Sequence, residues 1–384
     1  MRMRRREFLA ATGATCAMLP FGPAFAAARP LKLEIAARSP WMANQVALTS
    51  QNVMFLGCPR YAHDTPTPSL ARREPDGTFA PFPGNAWNQW KPGDDGYSAF
   101  VYLNSVHIFA DDTVWCVDQG ALPQGIFPDV DATLSPAAQK LVQLDAATGA
   151  VLGVLRFDAT ILPPGAQMND LRFHGAKLYI TDSGLGGLIV HDRATGKTLR
   201  RLSGNTVTKA SATDVPALLA HVKGGQTFRP PNSDLIEITA DGRWLYWAAP
   251  TGPLYRVETR YLDDPALSDA DLAARVEHVY DNRFSGGCSM DSRGNVYFSE
   301  TVTRNLTVWS PTGKTAVLAS DPTLVRPDGS FISRDRRLYV PVKQPVPANA
   351  AQDGTAGNAP FVIYAVTLPD VFDGIALGGP VTGA

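Results

Sequence analysis

A short apolar–aromatic–apolar triplet recurs six times along the chain, each time after a polar turn and a second apolar run. The central aromatic residues are 60, 64, 67, 51 and 42 residues apart. The turns are rich in Asp, Asn and Gly, which tolerate the backbone angles of tight hairpins. Each repeat therefore predicts a β-hairpin. The six triplets occupy residues 54–56, 114–116, 178–180, 245–247, 296–298 and 338–340.

Further strand-like segments follow most of these hairpins. Two of them alternate apolar and polar residues around an Ala-Thr-Gly turn, LVQLDAATGAVLGVL and LIVHDRATGKTLRRL. Four antiparallel strands per unit, in six units, predict an all-β fold: a six-bladed β-propeller of four-stranded antiparallel blades. The last unit lacks an obvious fourth strand, and we expect residues 31–38 to supply it and close the ring. Residues 59–92 and 345–360 are expected to be surface loops.

Composition narrows the class of protein. The 384 residues are 45% hydrophobic and 18% charged, which excludes a fully disordered chain. The formal net charge of −1 gives no basic footprint for nucleic acid, so no nucleic-acid partner is expected. The 33 glycines and 31 prolines suit a turn-rich β protein. No interdomain linker is evident, and residues 27–384 are predicted to form a single propeller domain.

The first 26 residues have the pattern of an export signal. A basic start is followed by the twin-arginine motif Arg5-Arg6-Glu7-Phe8-Leu9, an apolar stretch and the cleavage-type sequence Ala24-Phe25-Ala26. We expect residues 1–26 to be a twin-arginine signal peptide and the protein to be periplasmic or secreted. An uncleaved membrane anchor is the alternative. No later stretch is long and apolar enough to span a bilayer, so no stable membrane span is expected after cleavage.

Three cysteines follow the signal: Cys58, Cys116 and Cys288. No pair has the spacing of a metal site, and buried small hydrophobic residues are the favoured interpretation. One disulfide remains an alternative in an oxidising compartment. The six histidines lack the H-E-x-x-H spacing of zinc proteases, and no G-x-S-x-G or phosphate-loop motif occurs.

Polar residues recur at two positions of each unit. One set stands before the predicted innermost strands, and the other follows the second strands. In a four-stranded blade both positions lie at the same end of the central channel, so we expect residues distant in sequence to share one mouth. The first set is Asn44, Asn104, Asn169, Asp170, Asp234, Gly287 and Asp328; the second is Asp118, Gln119, Asp182, Ser183, Glu300, Lys343 and Gln344.

A group of side-chain oxygens at one mouth has two functional interpretations. It suits polar anchoring of a small organic molecule, and it suits a hard divalent cation such as Ca²⁺. The candidate metal ligands are Asp170, Asp234 and Glu300. The structural alternative is that Asp and Asn beside strands hold turns by accepting hydrogen bonds from backbone N–H groups. The predicted ligand-binding residues are Asn169, Asp170, Asp182, Asp234, Glu300 and Asp118.

Several segments resemble the major royal jelly protein and yellow family. The likeness is carried by NDLRFHGAKLYITDSGLGGLIVHDRATGKTLRRL, SGGCSMDSRGNVYFSE and VWCVDQG. The resemblance implies a six-bladed propeller and a secreted location, and bacterial members carry export signals. It implies no single chemistry, because members are associated with dopachrome conversion, bind small amines, or act as nutritive or structural proteins.

The related gluconolactonase and senescence marker propellers hold a metal with an early Glu, an Asn and an Asp. Here Gly286 stands where that Asp would be and no early Glu matches, although Asn169-Asp170 fits the shared pattern. The sequence therefore predicts a small-molecule-binding propeller. The alternative is an enzyme, either a metal-assisted lactone hydrolase or a dopachrome-tautomerase-like isomerase, in which a cation polarises a carbonyl oxygen and a channel carboxylate moves the proton.

Overall fold

Six four-stranded antiparallel sheets make up the fold, and they confirm the predicted six-bladed β-propeller. The computed structural model describes residues 29–59, 67–91, 93–120, 138–211, 230–342 and 361–383. The first strand, β1 (Glu34–Ser39), belongs to the last blade. In each blade the strand nearest the channel comes first in the order below.

The first three blades follow one another along the chain. Blade 1 consists of β2 (Gln45–Leu48), β3 (Met54–Gly57), β4 (Leu70–Arg73) and β5 (Phe79–Pro81). Blade 2 consists of β6 (Leu103–Ile108), β7 (Thr113–Asp118), β8 (Lys140–Asp145) and β9 (Val151–Leu155). Blade 3 consists of β10 (Met168–His174), β11 (Lys177–Asp182), β12 (Gly187–Asp192) and β13 (Thr198–Arg201).

The remaining blades repeat this order, with one exchange in the last. Blade 4 consists of β14 (Leu235–Ile238), β15 (Trp244–Ala248), β16 (Leu254–Glu258) and β17 (Glu277–Tyr280). Blade 5 consists of β18 (Ser285–Met290), β19 (Val296–Glu300), β20 (Asn305–Trp309) and β21 (Thr315–Ser320). Blade 6 consists of β22 (Phe331–Ile332), β23 (Arg337–Pro341), β24 (Phe361–Thr367) and β1.

The ring is closed by the two ends of the chain. Strand β1 pairs antiparallel with β24, from Glu34 opposite Ala365 to Ser39 opposite Phe361. An ion pair of 2.7 Å between Arg337 and Glu34 adds to the closure. The expectation that an early segment supplies the last strand of blade 6 is therefore confirmed.

The recurring aromatic triplets fill the spaces between blades. Phe55 of β3 is fully buried and packs with Leu103 and Val106 of blade 2. Tyr297 of β19 is 1% exposed and packs with Leu338 of blade 6. A four-stranded sheet has two apolar faces, and a large side chain on its second strand covers the neighbouring blade. This packing explains why the triplet recurs once per blade.

Residues 59–92 contain more structure than the predicted surface loop, because strands β4 and β5 lie within them. These strands have only four and three residues, and Pro81 ends the second, so the alternating pattern was too short to indicate them. Residues 345–360 lie outside the described residues.

Helices are minor in this fold. In the described ranges they are α1 (Thr259–Leu262), α2 (Asp269–Ala273) and two short 3₁₀ turns at Ala86–Asn88 and Thr206–Thr208. Ser268 caps α2 by accepting a hydrogen bond from the Asp271 N–H. Across the described ranges, none of the helices has the length and apolar character needed to cross a bilayer.

After the last blade the chain forms a small hairpin of β25 (Val371–Phe372) and β26 (Ile375–Ala376).

The three cysteines after the predicted signal are buried free thiols, and burial raises the pKa of each of them.

Candidate functional site

The inner strands β2, β6, β10, β14, β18 and β22 surround the central channel, and their first residues meet at one end of it. We call this end the mouth. All six blades contribute to a small cavity of about 10 Å³ there, which has room for about one water molecule. The residues lining it are Asn44, Gln45, Asn104, Ser105, Asn169, Asp170, Asp234, Leu235, Gly286, Gly287, Cys288, Asp328 and Gly329.

Three asparagines form a hydrogen-bonded chain across blades 1 to 3 at the mouth. The Asn44 side-chain amide donates to the backbone oxygen of Asn104 at 3.1 Å. The Asn104 amide in turn donates to the backbone and side-chain oxygens of Asn169, at 3.1 and 3.0 Å. Ser105 Oγ donates to the same backbone oxygen at 2.7 Å. These contacts join strand starts that are 60 and 65 residues apart, so the predicted convergence of the first set is present.

Three acidic residues from three blades complete the polar lining of the mouth: Asp170, Asp234 and Asp328. Blade 5 supplies only glycine backbone at the corresponding position. A Cβ atom on Gly286 would lie 2.3 Å from the backbone oxygen of Pro327. The inner strands of blades 5 and 6 are thus too close for a side chain there, which is why no acid from blade 5 reaches the mouth.

A buried charged row lies deeper in the channel. Arg172 Nη2 and Nε contact the two oxygens of Glu237 at 2.7 and 3.1 Å, and its Nη1 lies 3.0 Å from Asp170 Oδ2. His107 Nε2 lies 2.6 Å from Asp170 Oδ1. These four residues come from the inner strands of blades 2, 3 and 4, and each is 9% exposed or less. We call them the charged row.

The charges of the row are set by their mutual contacts. Burial alone would raise the pKa of the Asp170 carboxyl, but Arg172 and the hydrogen bond from His107 outweigh it and lower that pKa to about 2. Burial, helped by the positive charge of Arg172, lowers the pKa of His107. Burial raises the pKa of Glu237 despite its contact with Arg172. Asp170 is therefore ionised and His107 neutral at neutral pH.

The opposite end of the channel is covered by the C-terminal strap, residues 377–383. Gly378 N–H donates to Asp291 Oδ2 at 2.7 Å, and Ser292 N–H donates to the Gly379 oxygen at 2.7 Å. Farther along, Ala110 N–H donates to the Thr382 oxygen at 3.0 Å. The strap thus runs from blade 5 across the channel to blade 2.

Between the charged row and the strap lies a second cavity of about 40 Å³, which we call the far cavity. It combines polar groups with an apolar wall. Its lining residues are His107, Ile108, Phe109, Arg172, Glu237, Ser289, Met290, Ser330, Phe331, Ile332, Pro380 and Val381.

The predicted ligand-binding residues fall into two groups. Asn169, Asp170 and Asp234 line the mouth cavity. Asp118, Asp182 and Glu300 are buried but are not among the residues that line either cavity. They are the last residues of second strands, one strand farther from the axis. Of the other residues predicted for the mouth, Lys343 and Gln344 lie outside the described residues.

The second group makes structural contacts. Asp118 accepts hydrogen bonds from the N–H groups of Val101 and Tyr102, both at 2.9 Å, and pairs with the fully buried Lys140 at 2.8 Å. Asp182 accepts from the N–H groups of Gln167 and Gly184, at 2.8 and 2.9 Å, and contacts Arg200 at 2.5 Å.

Glu300 accepts a hydrogen bond from the Thr303 hydroxyl. For Asp118 and Asp182, the contacts match the turn-holding alternative, in which a carboxylate satisfies backbone N–H groups beside a strand end.

Of the charged row, the sequence predicted only Asp170 as a site residue, although a signal for the other three exists. His107, Arg172 and Glu237 stand three residues after Asn104, Asn169 and Asp234 respectively, and each is flanked on both sides by an apolar residue. Alternate residues of an inner strand face the channel, so equivalent positions in neighbouring blades meet at one depth. An alignment of the repeats at their first polar residues would have placed these three residues at the same position of the repeat.

A cation at the mouth would depend on neutral oxygen ligands. In the described part of the chain, no three His, Cys, Asp or Glu side chains come together in an arrangement that could hold a metal ion. Of the candidate ligands, Asp170 and Asp234 lie at the mouth and Glu300 does not line it. Asp328 and the asparagine oxygens of blades 1 to 3 are the further oxygen ligands available there.

Comparison with known families assigns the chain. The sequence model described as major royal jelly protein matches residues 105–340, more than half of the sequence. The chain belongs to the major royal jelly protein family. The match spans blades 2 to 5 and the first strands of blade 6, which include the charged row and most of the mouth. No curated protein matches the chain.

Solved structures support the fold of this family member. Regucalcin from Agrobacterium tumefaciens, described as a calcium-binding protein, has a TM-score of 0.53 at 13% identity, covering 93% of this chain and 99% of its own. A gluconolactonase from Xanthomonas campestris has a TM-score of 0.52 at 12% identity, covering 88% and 90%. A luciferin-regenerating enzyme has a TM-score of 0.53 at 10% identity, covering 92% and 98%. At these identities the likeness establishes the propeller fold alone.

Proposed function

We propose that this family member is an exported propeller that binds a small organic molecule at the channel mouth. The observation that carries the proposal is the convergence of Asp170, Asp234 and Asp328 with three asparagines in one polar cavity. Carboxylates predominate among the charged groups of the mouth. Such a lining favours a ligand group that donates hydrogen bonds and carries positive charge.

The size of the mouth cavity limits how the ligand is held. A cavity of about 10 Å³ accepts one ammonium or hydroxyl group, not a ring. We therefore propose that a single head group enters the cavity and that the body of the ligand lies outside it. Primary amines fit this description, because the ammonium group has three hydrogens to share among oxygens from several blades.

Calorimetric titration with tyramine tests this proposal. We expect tyramine to bind and para-ethylphenol, which lacks the ammonium group, to bind at least about tenfold more weakly, because charge-assisted hydrogen bonds stabilise by about 1.5–3 kcal/mol. Asp234→Asn should weaken tyramine binding by a similar factor. Asp241→Asn is the matched control, since Asp241 lies in the same blade on an exposed turn.

Equal binding of the two compounds, no binding of either, or equal losses in the two variants would contradict the proposal. The alternative predicted from the sequence, a metal-assisted lactone hydrolase or proton-transferring isomerase, gives a different result. In that case Ca²⁺ binds the mouth with measurable heat, and a lactone or dopachrome-like substrate turns over in the parent protein but not in Asp170→Asn.

We also propose that the twin-arginine segment directs the chain to the periplasm or beyond. The support is the Arg5-Arg6-Glu7-Phe8-Leu9 motif and the Ala24-Phe25-Ala26 site. Changing both arginines to lysine should retain the unprocessed protein in the cytoplasm, as measured by fractionation and the mass of the N-terminus. Export of the double variant at the parent level would contradict this proposal.

A further inference from the structure

The far cavity has the features of a second binding site, separate from the mouth. Its volume of about 40 Å³ is enough for about three water-sized groups. The charged row lies between it and the mouth cavity, and only the far cavity is lined by His107. Its wall includes Phe109, Met290 and Val381, so it is not purely a water pocket.

The first polar feature of the far cavity is His107 Nδ1, and whether this nitrogen accepts or donates depends on where the ring carries its hydrogen. Two Arg172 Nη1 contacts, to the Leu171 oxygen at 2.7 Å and to Asp170 Oδ2 at 3.0 Å, use both hydrogens of that nitrogen. Arg172 therefore has no Nη1 hydrogen left for His107 Nε2, which lies 2.8 Å away. Since Asp170 is ionised, His107 Nε2 carries the hydrogen and donates it to Asp170 Oδ1.

This tautomer leaves His107 Nδ1 with a lone pair. Among the described residues nothing donates a hydrogen bond to Nδ1, although His107 is only 4% exposed. A buried acceptor without a partner is costly unless a molecule in the adjoining cavity donates to it. His107 lines the far cavity, so that is where such a donor would lie.

The second polar feature is a hydroxyl pair. Ser289 Oγ and Ser330 Oγ are 2.7 Å apart and form a hydrogen bond with each other. One hydroxyl hydrogen is used in that bond. Within the described residues the other has no acceptor, so the pair can donate one hydrogen bond into the cavity. Both serines line the far cavity.

We infer that the far cavity binds a small aliphatic alcohol. An alcohol hydroxyl donates one hydrogen bond and accepts another, which matches His107 Nδ1 and the serine pair. A short alkyl group matches the wall formed by Phe109, Met290 and Val381. The volume limits the ligand to about three non-hydrogen atoms, as in ethanol.

Nitrogen NMR of isotope-labelled histidine tests the inference with ethanol as the probe. In the free protein we expect His107 to be neutral with its hydrogen on Nε2. Ethanol should shift the His107 Nδ1 signal saturably. The dissociation constant should be no tighter than about 1 mM, because so few atoms limit the attainable affinity. The double change Ser289→Ala and Ser330→Ala should weaken binding about two- to tenfold.

Three controls keep the outcome clear. Ser203→Ala, at an exposed serine, should leave the ethanol affinity unchanged. Asp234→Asn should alter tyramine binding at the mouth but not the ethanol response, so failure of one site is distinguishable from failure of the other. Val381→Trp, which fills the cavity from the strap, should abolish the saturable shift.

A response that rises linearly with ethanol without saturating would overturn the inference. So would a hydrogen on Nδ1 in the free protein, or a saturable response that is equal in the parent, the double serine variant and Val381→Trp.

Discussion

The two ends of the channel are built from the same inner strands but differ in chemistry. At the mouth, the first residues of the strands present asparagine and aspartate oxygens. At the far end, residues farther along the strands present His107, Arg172 and Glu237 beside an apolar wall. The mouth lies where the strands begin, whereas the strap covers the other end.

The difference shows that, in a repeat fold, the position of a residue within its repeat determines how deep in the channel it lies. Each repeat position corresponds to one level of the channel, so a residue type placed at that position in several blades forms a layer. Asn44, Asn104 and Asn169 make one such layer, joined by hydrogen bonds. The charged row makes the next. The two cavities can therefore bind different ligands although they share their walls.

The largest expected effect comes from removing the arginine between the two ends. Arg172→Met leaves Asp170 and Glu237 as buried carboxylates without their cation. We expect the free energy of unfolding to fall by about 3–5 kcal/mol, measured by chemical denaturation. Arg334→Met is the control, because Arg334 is exposed, and it should change stability by less than about 0.5 kcal/mol. Equal effects would contradict the assignment of Arg172 as the link between the ends.

An intermediate effect should separate the residues that line the mouth from those that end second strands. Asp182→Ala removes the acceptor of three backbone N–H groups and the partner of Arg200. We expect a loss of about 3 kcal/mol in the free energy of unfolding, with unchanged tyramine affinity. Asp234→Asn should instead weaken tyramine binding and change the free energy of unfolding less. If Asp182→Ala weakened tyramine binding as much as Asp234→Asn does, the division between the two groups would be wrong.

The smallest expected effect is the pH dependence of the charged row. The pKa of Asp170 is lowered from its ordinary 3.8 to about 2. Below 3.8 the unfolded chain takes up this proton first, so the stability contributed by Asp170 is complete above about pH 5 and is lost as the pH falls towards 2. Asp170→Asn should therefore flatten the decline in stability over that interval, measured by denaturation at a series of pH values.

The contribution of Glu237 to the pH dependence of stability should have the opposite sign. Burial raises its pKa, so the folded state holds the proton more tightly, and stability falls as the pH rises through the raised value. Glu237→Gln should remove that fall. Identical pH profiles for Asp170→Asn and Glu237→Gln would contradict the charge assignment.

The sequence was sufficient for the fold and for one layer of the channel. Hairpin turns and the recurring aromatic residues predicted the blades, and residues before the inner strands were correctly expected to meet. Asp118 and Asp182 share the same end of the blades, but their strands lie farther from the axis, where backbone N–H groups need acceptors. Sequence position gives the height of a residue along the channel more readily than its distance from the axis.

Sequence patterns could not predict the far cavity, for two reasons. A charged residue between two apolar neighbours, such as Arg172 or Glu237, looks like one facing solvent unless the channel side of the strand is known. The strap has no periodic pattern, and its course across the channel depends on a few hydrogen bonds, among them those to Asp291, Ser292 and Ala110.

The most direct test of the central claim is NMR of the side-chain amides of isotope-labelled asparagine during a tyramine titration. We predict that the signals of Asn44, Asn104 and Asn169 shift together with one dissociation constant. Asn295, which is bonded to Asp291 at the covered end, should not move. Separate dissociation constants for the three mouth asparagines, or a shift of Asn295 alone, would contradict a single mouth assembled from distant repeats.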